Sequence, residues 1–547
     1  MCSRLPGFEP GLSAANVAAA LAVLRHYGYT GPLALSCDDT NLEPALSIFQ
    51  QSKDAYMIVG GIGDPIKVMK KDDLDEVFER AQSVKGSKVS VISAYLCDSP
   101  NCIQLRLWLL TIPLPKIPPI VIAVMARSGS EDAEVLSNWH SELLDLLHQH
   151  DIHPVSIAAD GTEIEQSAHN APSFLPYSIP SSHTNCTIML KIPLYHGQYP
   201  YIAVQDGKHG IKTGRNQLLT GACILVLGCF IAHFSQLLTL VQHPTCPLFS
   251  RDVKNVDKQD DQAASHLFAA ETLEFQCETN PDQQGLSTYF ILGELGDAWQ
   301  NQAISHLECA RMVIRAHYFL MAWWSHITAH PYYSMNVQFI SQESFNIFLT
   351  LCDSLLAFIV IYRKYYPTYP LLPWLHLTEP DEHVFGILHL LKKDFNFADM
   401  LYLMPKLRAL LMGTFADLTP DEQANQTAAG YHHTYFHADD LDLKTLMEYP
   451  SDEQLADVSE WAYEEAKMLL SGLGIDATEM LSKYSPPVSN SSRKFGAPNR
   501  QPQPPTTLAQ LLTLHDSLVF RSPRDKIHYE TDTLALIAES VQSTLEM

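Results

Sequence analysis

Positive charge is what this sequence has least of. Its 547 residues carry 36 lysines and arginines against 61 aspartates and glutamates, a formal net charge of −25. No stretch gathers those bases into an obvious cluster. A protein that grips DNA unaided usually presents a basic face, because affinity comes largely from neutralised phosphates. The balance therefore weighs against strong nucleic-acid binding by this chain alone, while leaving a local positive groove open. Paired cysteines are also missing: the eleven are odd in number, run from Cys2 to Cys352 and include no CxxC. That argues for reduced thiols in an intracellular protein rather than a disulfide framework. No GxSxG, HExxH or P-loop string occurs, and no internal repeat.

What is present is an ordinary globular composition, 46% hydrophobic, 18% charged and 10% aromatic, outside the disordered class and long enough for three or four domains. The apolar run at 14–24 is headed by Ser13 and preceded by Glu9 and Pro10, which predicts a capped helix rather than a signal peptide. Sequons at Asn185, Asn425 and Asn490 mean little without secretion. Residues 218–241 are apolar and long enough to resemble a membrane span. They hold Thr220, His233, Ser235 and Gln236 and have no basic flank beyond Arg215, so a buried core helix is expected there and no membrane partner.

The first half alternates strand-like and helix-like segments. LALSC (33–37) ends in Asp38–Asp39, and AYMIV (55–59) is closed by Gly60–Gly61, a GGIGD string without GxGxxG spacing that reads as a hairpin turn. QLRLWLLTI (104–112) and IVIAVM (120–125) follow, then an amphipathic helix at 131–150 and PVSIAA (154–159) leading into Asp160–Gly161. After a loop, YIAV (201–204) ends at Asp206 and a helix begins near Lys208. Three antiparallel strands, a helix, a fourth strand, a helix and a fifth strand is the order of a ribonuclease H-like fold, with one acid ending the first strand and another following the fourth. The expected fold class is thus α/β: a ribonuclease H-like mixed sheet split by an all-helical insertion, with a helical C-terminal region. Residues 1–241 would form the first part of the core and 242–370 the insertion, with Trp299, Trp323 and Trp324 in its interior as packing rather than base stacking. Helices at 382–393 and 397–411 would complete the core within 371–415. An acidic helical region at 416–482, a Ser/Pro/Asn/Gln-rich disordered linker at 483–507 and a helical tail at 508–547 follow.

Cleavage of a phosphodiester can use two metal ions about 4 Å apart, one activating the nucleophile and one stabilising the leaving oxygen. Mg²⁺ takes oxygen ligands, typically one or two carboxylates plus substrate phosphates. Acids on neighbouring strand ends and a packed helix supply such a set from rigid elements. Asp38 fits the first role, with Asp39 as fallback, although strand alternation turns Asp39 to the other face. Asp160, followed by Gly161, fits the second. For either acid alone the plain alternative is a turn after a strand. In TEPDEHVFG (378–386), Glu382 is the better third ligand, because the neighbouring Val384–Phe385 pair anchors the helix inward; the acids there also compensate a helix dipole. In DGKHGIKTGRN (206–216), Lys208, His209, Lys212 and Arg215 would converge on an anion such as nucleic-acid phosphate, or else Asp206 caps the helix and the bases are solvated. His433 and His437 have metal spacing, but with His432 they read as solvated histidines.

The strings GPLALSCDDTNLEPAL, LPKIPPIVIAV, AADGTEIE, YIAVQDGKHGIKTGRNQLLTGA, VKNVDKQDDQAASHLF and HLTEPDEHVFG, with the later ADMLYLMPKLR, resemble a group of fungal, mushroom-type mobile-element proteins. These are similar to P-element and THAP-type transposases, whose ribonuclease H-like domain is split by a helical insertion. The most specific part is the string from Asp206 to Asn216, which matches a D-x-x-H-x-x-K-x-x-R-N segment of those transposases. The resemblance implies Asp38, Asp160 and Glu382 as catalytic acids holding Mg²⁺ or Mn²⁺, DNA as substrate, and a nuclear, intracellular setting; it leaves a homo-oligomer open. No nucleotide cofactor motif is found, so the GTP use of P-element transposase does not carry over. Departures are Gln166 and Ile387-Leu388-His389 where charged residues are expected, and no N-terminal zinc module. The alternative is therefore a catalytically silent, truncated copy acting at most as a protein-interaction module.

Overall fold

The computed structural model describes residues 7–45, 47–52, 55–60, 65–68, 103–129, 131–159, 171, 173–182, 186–220, 223–254, 257–414 and 441–484. In chain order, α1 (Ala14–Tyr27) leads into β1 (Leu33–Leu42), β2 (Ser47–Ser52), β3 (Ala55–Val59) and β4 (Ile66–Val68). Next come β5 (Ile103–Thr111), β6 (Ile120–Arg127), α2 (Ala133–Gln149) and β7 (Pro154–Ala159). Then follow β8 (Phe174–Ile179), β9 (Ile188–Tyr195), β10 (Tyr199–Pro200), β11 (Ile202–Gln205), α3 (Gly207–Leu219), β12 (Leu225–Leu227), β13 (Phe230–Ala232) and α4 (Phe234–Leu240). The main later helices are α5 (Asp261–Leu267), α6 (Gly293–Gln300), α7 (His306–Ala329), α8 (Gln342–Tyr365), α9 (Glu379–Leu391), α10 (Phe397–Thr414), α11 (Asp452–Gly472) and α12 (Ala477–Ser482). They fall into two compact units. The first comprises Met1–Pro176, Lys191–Asp206 and Val360–Met447; the second comprises Tyr177–Leu190, Gly207–Ile359 and Glu448–Met547.

The first unit is organised by a five-stranded mixed sheet in the order β11-β7-β1-β5-β6. Strand β1 is central, antiparallel to β5 and parallel to β7, while β7 is parallel to β11. Both faces of this sheet are covered, so its strands read as near-continuous apolar runs. Val17, Ala20 and Leu24 of α1 and Leu143, Leu144 and Leu147 of α2 pack on the face carrying Leu35, Cys37 and Trp108. Val384, Phe385 and Leu388 of α9, with Met400, Met404 and Leu407 of α10, pack on the other, which carries Leu42, Leu105, Leu107 and Leu109. The alternation of β5, with Leu107 and Leu109 on one side and Trp108 on the other, is the period-2 rule made visible. Helix α1 starts where Ser13 Oγ accepts the Ala15 amide and ends on Gly28 at φ 60°, the left-handed cap glycine adopts without a Cβ penalty.

The second unit is mainly helical and is held by aromatic side chains whose polar tips find main-chain partners. Trp299 Nε1 donates to the Leu351 carbonyl (3.2 Å), Trp323 Nε1 to that of Val226 (2.7 Å), and Tyr318 OH to that of Cys186 (2.6 Å). Trp324 stacks on Phe345 with centroids 4.6 Å apart, and α7 packs along α11. Burying these rings with their donors satisfied is what a large aromatic core requires. Among the described residues, 242–370 contain helices and loops and no strand.

Four expectations change. The first strand does not stop at Cys37: β1 runs on to Leu42, because its antiparallel ladder with β5 continues to Leu42↔Ile103. Asp38 therefore stands within the strand, not at its tip. Residues 218–241 are not one buried helix. Helix α3 ends at Leu219, a hairpin of β12 and β13 turns at Gly228 (φ 65°), and α4 begins after the His233 cap. Apolar composition without a marked period does not separate a buried hairpin from a buried helix. Among the described residues, the helix that is long and apolar enough to cross a membrane is instead α8, and 78% of its apolar window is buried. The stretch expected as a loop before β11 holds β8, β9 and β10, with β9 and β10 paired at Tyr195↔Tyr199. Strand β3 belongs with β2 and β4 in a separate three-stranded sheet and pairs antiparallel with β4, while residues 61–64 of the expected turn lie outside the described residues. Asp160, Gln166, His432, His433, His437 and the segments 483–507 (save 483–484) and 508–547 lie outside the described residues.

Candidate metal centre

Strand β1 is buried from Leu33 to Cys37 and opens at Asp38. The cause is in its two ladders. Pairing with β5 runs from Ala34 to Leu42, but the described ladder with β7 ends at Ser36↔Ala158, two residues before Asp160 in sequence. Asp38 is paired with Leu107, and directly opposed residues share a face. Leu107 packs with α9 and α10, so Asp38 is directed to the α9 side of the sheet. Asp39 is paired with Arg106 and turned to the α2 side.

Asp39 is fully engaged as an ion partner. Arg106 grips it bidentately, Nε to Oδ1 at 2.9 Å and Nη2 to Oδ2 at 2.8 Å, and Arg127 Nη1 donates to Oδ2 as well. Arg127 Nε also reaches Glu131 Oε2 at 3.1 Å. Burial alone would raise the Glu131 carboxyl, but the Ser128 amide and hydroxyl and Arg127 outweigh it and hold the group below its ordinary value. Both arginines are nearly inaccessible. This removes Asp39 as a fallback ligand and leaves Asp38, whose Oδ1 accepts the Asp39 main-chain amide at 2.7 Å.

Glu382 sits in the first turn of α9, half-buried, between the fully buried Asp381 and the buried His383. Two hydrogen bonds fix that helix along β1. Before it, Ser156 Oγ on β7, level with Ala34, meets His376 Nδ1 at 2.7 Å, and His376 Nε2 meets Tyr362 OH at 2.8 Å. Near its end, His389 Nε2 meets Thr40 Oγ1 at 3.3 Å. The chain from 376 to 389 thus runs in the direction of β1 from Ala34 towards Thr40. Glu382 lies between the two anchors, as Asp38 lies between Ala34 and Thr40. Seven residues separate Glu382 from His389, two helical turns, so both project from one side of α9. Complete burial pushes the His376 imidazole down to about 3, so it stays neutral and acts as a structural relay between two hydroxyls.

The four bases lie in the second unit. Arg215 is buried in the body of α3 and donates to the main-chain carbonyls of Asp257, Asp260 and Asp252 at 3.2–3.3 Å. Burial lowers its guanidinium value, and Asp260, Asp252 and Asp257 act against that. Lys212 Nζ is 3.0 Å from Asp261 Oδ1 of α5. Those two residues therefore tie α3 to α5 and the loop before it, rather than being solvated or converging at the helix N-terminus. Lys208 and His209 are half-buried and Asp206 is buried.

Sequence reasoning missed Arg106, Arg127, Ser156, His376 and Tyr362. A signal did exist for the arginines: a charge inside QLRLWLLTI and one closing IVIAVMAR need a buried counter-charge. Nothing comparable marked His376. Among the described residues, no group of three His, Cys, Asp or Glu side chains is close enough to hold a metal ion.

These features define an α/β protein with a central mixed sheet and a second, helix-rich unit. No family model matches the chain, and no curated protein does. A solved chain titled "Drosophila P element transposase strand transfer complex" aligns over 75% of this chain and 83% of its own length, with a TM-score of 0.48 and 13% identity. A likeness of that degree decides neither fold family nor activity.

Proposed function

We propose that the chain is a transposase-derived nuclease and strand transferase of the DDE type, with a ribonuclease H-like core that cuts and joins DNA. Asp38, Asp160 and Glu382 would hold its Mg²⁺ or Mn²⁺ ions. The observation that carries the reading is the alignment of α9 over β1, with the Ser156–His376 and Thr40–His389 bonds bracketing Glu382 on the face to which Asp38 is directed. The strand order β11-β7-β1-β5-β6, with β1 antiparallel to β5 and parallel to β7, is the arrangement this fold requires and supports it further. DNA as substrate rests on the resemblance of the Asp38, Asp160 and Asp206–Asn216 strings to P-element and THAP-type transposases.

Carboxylate oxygens suit hard divalent cations. A bound pair would activate the attacking hydroxyl and stabilise the leaving oxygen. The chain's own contribution is positional: the buried Ser156–His376 bond ahead of α9 and the exposed Thr40–His389 bond near its end hold Glu382 at one level of the sheet. A second reading, a catalytically silent relic that acts as an interaction module, is favoured by the burial of Lys212 and Arg215, which withdraws two bases of the most specific string from any phosphate. The deciding experiment is Mg²⁺- or Mn²⁺-dependent nicking of labelled duplex DNA by the wild type, Asp160→Asn and Glu382→Gln. The nuclease reading expects nicking by the wild type and at least a hundredfold less by either variant. Equal activity in all three, or none in any, overturns it, and complete inactivity favours the silent relic.

A further inference from the structure

We infer that Asp39 is the positioning residue of Asp38, with Arg106 and Arg127 as its clamp. The inference rests on the metal-centre reading above and assigns a role to a cluster that the reading does not use. A strand residue in mid-ladder already has its main chain fixed by hydrogen bonds, yet the peptide between Asp38 and Asp39 has a further task, since the Asp39 amide donates to Asp38 Oδ1. The direction of that N–H depends on how the Asp39 residue is held. Its carboxylate takes three donors from two guanidiniums, one of them a bidentate fork, and those arginines come from the next two strands in order, β5 and β6. Arg127 is steadied in turn by Glu131 at the entry to α2.

Bidentate pairs fix geometry as well as energy. The clamp thus locks three adjacent strands together at the level of Asp38, one residue away and on the opposite face of the sheet. An uncharged pair in the same place would pack as well but would leave the rotation of the 38–39 peptide less determined. Groups one shell out from a metal ligand alter metal affinity by about tenfold to a hundredfold when changed. Asp39 is placed to act in that way, through the orientation of a carboxylate it does not itself touch by its side chain.

The test is Mn²⁺ titration calorimetry on the full chain for the wild type, Asp38→Asn, Asp39→Asn and Arg106→Lys, with far-ultraviolet circular dichroism confirming each fold. The expected result is loss of measurable binding in Asp38→Asn and a tenfold or greater weakening in Asp39→Asn and Arg106→Lys. Should Asp39→Asn fail to fold, Arg106→Lys decides, because it keeps the charge and removes the fork. Binding by the wild type that is unchanged within twofold in both Asp39→Asn and Arg106→Lys overturns the positioning role and leaves the metal centre standing. Binding abolished by Asp39→Asn but intact in Asp38→Asn overturns it too, by making Asp39 the ligand. Absence of binding in the wild type removes the metal centre, and the inference with it.

Discussion

Both units bury arginines, and the partners they are given set the two apart. In the first, Arg106 and Arg127 converge on a single carboxylate that borders Asp38, so that two cations stabilise one strand beside an acid. In the second, Arg215 donates to three main-chain carbonyls of the chain around 252–260. The same residue type therefore organises a candidate reaction centre in one case and joins segments of a helical fold in the other. Basic residues in a specific-looking string are not evidence of an anion site until their partners are known. The Asp206–Asn216 string illustrates this, since its most buried base holds the fold.

The largest effect expected on that contrast comes from Arg215→Met. It leaves three carbonyls without their donor in a buried setting, and the second unit should lose about 3–5 kcal/mol of stability. Urea denaturation followed by tryptophan fluorescence measures this; a loss below about 1 kcal/mol would mean that Arg215 is dispensable and available for another task. Acid gives the next effect, and it tests the first unit. His140 and His376 are both held down to about 3 by burial, with Arg106 adding to the effect at His140. Unfolded histidine takes up a proton near pH 6.5, and the native forms do so only near 3. The unfolded state therefore binds more protons in that window, and stability falls as pH drops through it, by up to about 1.4 kcal/mol per pH unit for each histidine. Denaturation between pH 7 and 4 should show this slope, and His376→Gln, which retains hydrogen-bonding groups but does not titrate, should show a shallower one. Smallest is Tyr362→Phe. It removes one hydroxyl from the Ser156–His376–Tyr362 relay and should cost about 1 kcal/mol, with a parallel fall in nicking only if the relay sets the position of α9.

Much of the first unit was legible because its strands and helices keep their periods. The apolar runs at 104–112, 120–125, 154–159 and 201–204 became β5, β6, β7 and β11, and the amphipathic stretch at 131–150 became α2. The anchoring Val384–Phe385 pair is buried under α9 as its apolar character implied. Residues 218–241 were misread because a glycine turn inside a uniformly apolar stretch leaves no period to detect. The extension of β1 beyond Cys37 was hidden for an electrostatic reason. Two acids in a row look like a strand end, and the arginines that let Asp39 stay in the sheet lie 67 and 88 residues further along the chain. For the candidate site, the identity of the acids was readable but their facing was not. Strand alternation separated Asp38 from Asp39, whereas the choice of face needed the pairing with Leu107.

The two bonds that bracket α9 also set a length. Between His376 and His389 the chain must supply a fixed number of residues, because one residue more or fewer turns everything beyond it by about 100° around the helix axis. Such a change before Glu382 would carry it off the β1 side or break the Thr40–His389 bond, whereas chain added ahead of Tyr362 would leave both anchors in register. The stretch from 376 to 389 is in that sense a gauge, open to substitution at many positions and closed to insertion or deletion at all of them.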